Sequence, residues 1–186
     1  MKLKTLFSNK GRVIEDAYLI EPNLIKDDRG FFMESWNQNQ LSLILEKKFN
    51  FVQDNHSFSK KNVLRGLHFQ KAPYEQGKLV RCVSGKIYDV AVDIRKESKS
   101  FGEWTSVVLD DINHNQFWIP PGFAHGFLTI SEYATVLYKA TNYYNKESEK
   151  TIFWKDKFLD IRWPLSEEDP IISQKDAKGE EFSRSL

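Results

Sequence analysis

The chain of 186 residues has a single cysteine, Cys82, which excludes an intrachain disulfide and a cysteine-built zinc centre. Charge of either sign is in no surplus. With 27 basic and 26 acidic residues the net charge is +1, so no global field favours nucleic acid or an anionic membrane, and an anionic ligand must be held by a local cluster. No apolar run reaches transmembrane length. Residues 1–7 give way to Ser8-Asn9-Lys10-Gly11 before a signal-type apolar region develops, so the expectation is a cytoplasmic chain. Repeats, low-complexity tracts and linkers are missing as well, which predicts one domain over 1–186. What is there is ordinary for a soluble globular protein: 40% hydrophobic and 28% charged residues. Aromatics reach 14%, a content suited to β structure and to ligand-stacking surfaces.

Strand signals recur every eight to twelve residues or so, with turn signals between them, which predicts an all-β sandwich or barrel. Residues 12–20 alternate loosely as a first strand, and Asp27-Asp28-Arg29-Gly30 reads as a turn. The spacing of Leu41, Ile44 and Leu45 predicts a short helix over 40–48. Residues 50–58 read as a strand whose Gln53 and Asn55 share a face with Phe51. Ser84-Gly85 is expected to be a two-residue hairpin turn, and residues 127–130 and 133–141 the arms of a second hairpin. Between them Ile87, Asp89, Ala91 and Asp93 oppose Tyr88, Val90, Val92 and Ile94 in the clearest strand of the chain. The segment from Asn142 onward is charged and reads as irregular.

The candidate centre is Val63-Leu64-Arg65-Gly66-Leu67-His68-Phe69-Gln70, followed by Lys78. His68 has the side chain best suited to moving protons near neutrality. A lone histidine on a strand is more often a barrel-lining residue satisfied by a neighbour, so its company decides. Lys78 opens the next strand, and Tyr138 sits on a face of small residues with Ala134, Val136 and Ala140.

The strings Leu64-Arg65-Gly66-Leu67-His68-Phe69-Gln70, Gln76-Gly77-Lys78-Leu79-Val80-Arg81 and Pro120-Pro121-Gly122-Phe123-Ala124-His125-Gly126-Phe127 resemble the dTDP-4-dehydrorhamnose 3,5-epimerases. The likeness extends through Asp28-Arg29-Gly30-Phe31-Phe32, Gln53-Asp54-Asn55, Leu137-Tyr138-Lys139 and Ile161-Arg162-Trp163-Pro164, in the family's order. It implies a cupin jelly roll, a double-stranded antiparallel β-barrel with a few short helices. It also implies a homodimer and conversion of dTDP-4-dehydro-6-deoxy-D-glucose to dTDP-4-dehydro-L-rhamnose without metal or other cofactor. Carried over position by position, His68 is the base, Asp176 the carboxylate that orients it, Lys78 the cation near the C4 oxygen and Tyr138 the acid. Arg29, Glu34, Gln53, Asn55, Arg65, His125, Glu149 and Lys175 match substrate-binding positions. The stretch from Trp163 to Asp176 is one residue longer than the pattern expects, and Asp169 stands as a second candidate partner for His68.

These residue types suit that chemistry. A C4 ketone acidifies the hydrogens on C3 and C5, and inversion needs a base on one face of the ring, an acid on the other and a charge at the enolate oxygen. Strict alternation, however, puts Arg65 and His68 on opposite faces, so an irregularity at Gly66 is expected. Three alternatives stay open. One is a metal-dependent cupin built on His68, Glu75 and His125, though Gln70 is a poor ligand where a second histidine would stand. Another is a sugar-nucleotide binding module without catalysis, which would keep the arginines but have no use for His68, Lys78 and Tyr138 together. The third lies within the resemblance: a single-carbon epimerase or a ketoisomerase on a related sugar nucleotide.

Overall fold

A computed structural model describes residues 1–166 and 168–185 of the chain. In the described residues the strands are β1 (Lys2–Phe7), β2 (Val13–Glu21), β3 (Ile25–Asp27), β4 (Gly30–Phe32), β5 (Gln53–Lys60), β6 (Leu64–Gln70), β7 (Lys78–Asp93), β8 (Trp104–Asp110), β9 (Gln116–Ile119), β10 (Phe123–Ala140) and β11 (Glu149–Thr151). The helices are short: α1 (Gln38–Ile44), α2 (Gln174–Ala177) and α3 (Phe182–Ser185). Nine strands form one antiparallel sheet in the order β1-β2-β9-β7-β10-β6-β11, with β5 also on β10 and β8 also on β7, while β3 and β4 form a separate hairpin. This is the all-β cupin-like jelly roll that the sequence predicts.

Two expected hairpins are instead bends within long strands. β7 runs unbroken through Ser84-Gly85, and β10 unbroken through residues 130–133. Each changes neighbours at its bend. β7 pairs with β9 at Lys78–Arg81 and with β8 from Lys86 to Val92, and β10 pairs with β6 at its start and β5 towards its end. Strands that pass from one sheet to the other through a bulge make the corners of such a barrel. Gly85, at φ +79°, suits the corner because a Cβ there would collide with the Tyr133 carbonyl. The helix is also displaced from 40–48 to Gln38–Ile44. Asn37 caps it by accepting from the N–H groups of Asn39 and Gln40, and Glu46 ends it at φ +52°. Likewise the strand expected at 50–58 begins at Gln53 and ends at Lys60.

The alternation read in β7 explains why the sheet is apolar on both sides. Ile87 and Ala91 join Ile14, Val80, Phe117, Phe127 and Val136 inside the barrel. Val90 and Val92 face outward and are roofed by Trp154, Leu159, Trp163 and Phe182. The segment from Asn142 is therefore a fitted cover rather than a loose tail. Two indole hydrogen bonds fasten it: Trp163 Nε1 donates to the Trp154 carbonyl within the segment, and Trp104 Nε1 on β8 donates to the Leu159 carbonyl, both at 2.9 Å. A bridge between Val63 and Ile171 ties the cover to the start of β6, which brings α2 over the barrel mouth. No described helix is long and apolar enough to cross a membrane.

Candidate active site

β6 carries the centre, and its irregularity is the expected one. Between the pairs His125↔His68 and Phe127↔Arg65, β10 spends one residue and β6 two, so Gly66-Leu67 oppose Gly126. Gly66 has φ +128°, and a Cβ on it would lie 2.5 Å from Gly126 Cα and 2.8 Å from the His125 carbonyl oxygen. Only glycine meets both demands. The bulge turns Arg65 to the His68 side, where its guanidinium donates to Ser59 Oγ (3.0 Å) and the Phe58 carbonyl (3.1 Å), and Leu67 is left to the core.

Two cavities, of about 580 and 310 Å³, share His68, Lys78, Tyr138 and Glu149 and so form one cleft. The first adds Arg65, His125, Lys175 and Asp176, and the second Gln53 and Asn55. Ten of the twelve residues singled out by sequence thus converge. Arg29 and Glu34 do not. Arg29 stands on the β3–β4 hairpin, paired with Asp27 and with its side chain 90% exposed, and Glu34 bonds to Asn37 and Gln40. A larger groove of about 860 Å³, lined by Phe101, Phe153, Phe158 and Phe182, opens elsewhere and contains neither histidine nor tyrosine.

His68 Nε2 donates to Asp176 Oδ1 at 2.5 Å, which puts the ring proton on Nε2 and leaves Nδ1 as the basic nitrogen. Asp176 Oδ2 accepts from the Gly66 N–H, and the Ser173 hydroxyl accepts from the Asp176 N–H to start α2. Burial pushes the Asp176 carboxyl up, but the His68 hydrogen bond and charge outweigh it and hold the group below the usual carboxylate range. Asp169, the other candidate, accepts from Asn62 Nδ2 through its backbone carbonyl, and among the described residues its side chain has no hydrogen-bond partner.

Lys78 and Tyr138 come from neighbouring strands. Lys78 pairs with Ala140 and Tyr138 with Val80, so the two side chains lie diagonally on one face. Burial lowers the Lys78 amine to about 8, against the opposing charges of Asp89 and Glu149. Burial raises the Tyr138 phenol, which keeps it protonated at neutral pH. At the mouth, Lys175 Nζ (2.6 Å) and the Tyr144 hydroxyl (2.9 Å) both donate to Glu149. These hydrogen bonds hold the Glu149 carboxyl low although burial opposes them.

Sequence reasoning missed Ser57 and Tyr144. Ser57 Oγ and Asn55 Nδ2 are buried beside the cleft without partners among the described residues, so both are free for a polar ligand. The signal for Ser57 was available, because it continues the Gln53, Asn55 face by alternation. Among the described residues no three histidine, cysteine, aspartate or glutamate side chains converge as metal ligands. His68 and His125 instead point their Nε2 atoms at Asp176 and Asp89, and Glu75 lies outside the cleft.

A family model described as dTDP-4-dehydrorhamnose 3,5-epimerase matches residues 12–184. The chain is 55% identical over 173 residues to a dTDP-4-dehydrorhamnose 3,5-epimerase of Salmonella typhimurium, covering 93% of this chain and 94% of that one. Among solved structures it resembles a dTDP-6-deoxy-D-glucose-3,5-epimerase from Legionella pneumophila in complex with dTDP-4-keto-L-rhamnose, with TM-score 0.90, 44% identity and coverage of 98% and 94%. It also resembles a 3′-monoepimerase from Streptomyces bikiniensis in complex with dTDP-quinovose, with TM-score 0.85, 29% identity and coverage of 91% and 85%.

Proposed function

The chain belongs to the dTDP-4-dehydrorhamnose 3,5-epimerase family, and from that premise we propose how its residues invert C3 and C5 of dTDP-4-dehydro-6-deoxy-D-glucose to give dTDP-4-dehydro-L-rhamnose. His68 Nδ1 takes the proton from the carbon next to the ketone, and Asp176 stabilises the imidazolium that forms. The electron pair moves onto the C4 oxygen as an enolate, and the Lys78 ammonium meets that charge in a site sheltered from water. Tyr138 delivers a proton to the opposite face of the carbon. General acid–base help of this kind contributes on the order of 10²–10⁴ in rate. Arg65, with Gln53, Asn55, His125 and Lys175, holds the nucleotide diphosphate and sugar, so binding energy remote from the reacting carbons orients the ring.

The observation that carries this reading is that His68, Lys78 and Tyr138 line a single cleft. Incubation with dTDP-4-dehydro-6-deoxy-D-glucose and analysis of the product by NMR tests it. The expected product is dTDP-4-dehydro-L-rhamnose, and recovery of unchanged substrate overturns the assignment. Inversion at C3 alone is the alternative, with its footing in the likeness to the Streptomyces bikiniensis monoepimerase. A product changed only at C3 would select it.

We further propose that residues 1–186 act as one epimerase domain and that two copies form a homodimer. Arg29 and Glu34 match substrate-binding positions yet lie outside their own chain's cleft, on and beside a hairpin whose Phe31 and Phe32 are 51% and 66% exposed. A second copy's cleft is the site these residues serve. Light scattering should give a mass near twice that of the chain, and Arg29→Ala should raise KM more than it lowers kcat. A monomer with full activity contradicts the arrangement.

A further inference from the structure

Behind the cleft lies a carboxylate that does not line it. Asp89 sits on the inward face of β7 between Ile87 and Ala91 and is fully buried. Its Oδ1 accepts from His125 Nε2 at 2.6 Å, whereas its Oδ2 is buried with no hydrogen-bond partner among the described residues. A buried carboxylate oxygen left unpaired is costly unless a cation nearby compensates it.

Lys78, on the same strand, is buried and makes no side-chain hydrogen bond or ion pair among the described residues. The charged and titratable groups around it are Asp89 on β7, His125 and Tyr138 on β10, Arg65 and His68 on β6, Tyr144 before β11, Glu149 on β11, and Lys175 and Asp176 on α2. Three are carboxylates, and two of those are committed. Glu149 is held by Lys175 and Tyr144, and Asp176 by His68. Asp89 alone of the three keeps an oxygen unbound.

We propose that Asp89 is a positioning residue of this site: it is the counter-charge that keeps the buried Lys78 amine in its ammonium form, and through Nε2 it sets the His125 ring so that Nδ1 is the nitrogen free for the cleft. The inference rests on the reading that Lys78 acts as a cation at the C4 oxygen. Burial alone drives the amine down, and the charge of Asp89 is the largest influence in the opposite direction. Without it the amine would lose its proton at a lower pH.

The test is the pH profile of kcat/KM for wild type, Asp89→Asn and Asp89→Glu. Asparagine keeps an oxygen for the His125 N–H and removes the charge. The alkaline limb of Asp89→Asn should then move down by about one pH unit, the deficit growing from almost none at about pH 6 to about tenfold at about pH 9. Asp89→Glu keeps the charge and should leave the limb in place even where kcat falls from imperfect fit. A limb unmoved in Asp89→Asn, or moved equally by Asp89→Glu, overturns the role of Asp89 while leaving Lys78 in its own. If Asp89→Asn fails to fold, the Asp89→Glu profile still decides, because a charge-preserving variant with a shifted limb contradicts the proposal. If Lys78→Met retains wild-type activity, the underlying reading fails instead.

Discussion

His68 and Asp176 lie 108 positions apart in the chain and 2.5 Å apart in space. The distance is closed by the cover segment, pinned where Val63 bridges Ile171 and where the Leu64 N–H donates to the Ile171 carbonyl at 3.0 Å. Two residues further on, Ser173 starts the single turn of α2 that aims the carboxylate into the barrel mouth. The His68–Asp176 pair thus depends on the outer packing of the sheet, because Trp154, Leu159 and Trp163 hold the segment that delivers one partner.

Asp176→Asn should separate orientation from charge. Asparagine can still hold the imidazole, but it does not stabilise the imidazolium, so kcat should fall by about 10²–10⁴ with little change in KM. Steady-state kinetics at neutral pH check this. A variant with unaltered kcat would remove the carboxylate from the mechanism.

Tyr138→Phe should divide the reaction rather than abolish it. Proton abstraction by His68 does not need the phenol, so substrate hydrogens should still exchange with solvent while inverted product is lost by about 10²-fold or more. Burial keeps the wild-type phenol protonated at neutral pH, as an acid requires. NMR of substrate in deuterated buffer would read both outcomes. Full inversion by Tyr138→Phe would assign the acid elsewhere.

The pH dependence follows from Lys78. An ammonium is the acid form, present below its pKa and lost as pH rises through it, and burial has brought that value to about 8 from an ordinary 10.5. The kcat/KM profile should therefore fall off above about pH 8. Lys78→Met should cost about 10²–10³ in kcat below about pH 8, with the deficit narrowing above it as the wild type loses the same charge, because the substitution deletes the cation at the developing oxyanion.

Gly66→Ala should cost stability as well as activity. The new methyl would meet Gly126 Cα and the His125 carbonyl at 2.5 and 2.8 Å, on a backbone at φ +128° that L side chains rarely adopt. Relief requires β6 to shift at the bulge that orients both Arg65 and His68. A loss of about 2 kcal/mol or more in denaturant unfolding is expected.

How far the site was legible in sequence follows the range of the contacts. His68, Lys78, Gln53, Asn55 and Tyr138 are placed by strand alternation, a local rule, and they converge as expected. The Arg65 problem was legible for the same reason, since alternation failed at a glycine able to host a bulge. The two long strands were not, because Ser84-Gly85 carries the same residue types whether a chain reverses or turns a barrel corner. Only the partner strand across the bend decides. Choosing Asp176 over Asp169 needed the cover segment in place, a long-range packing fact. Alternation groups Asp89 with Ile87, Ala91 and Asp93 without saying which face is inward, and a charge there gains meaning only once its hydrogen bond to His125 and its place near Lys78 are seen.

That one base, His68, serves both carbons next to the ketone is tested most directly by solvent hydrogen exchange. Wild-type enzyme with dTDP-4-dehydro-6-deoxy-D-glucose in deuterated water should place deuterium at both C3 and C5, and His68→Asn should suppress the label at both by about 10²-fold or more. Exchange that continues at either carbon without the imidazole would contradict it.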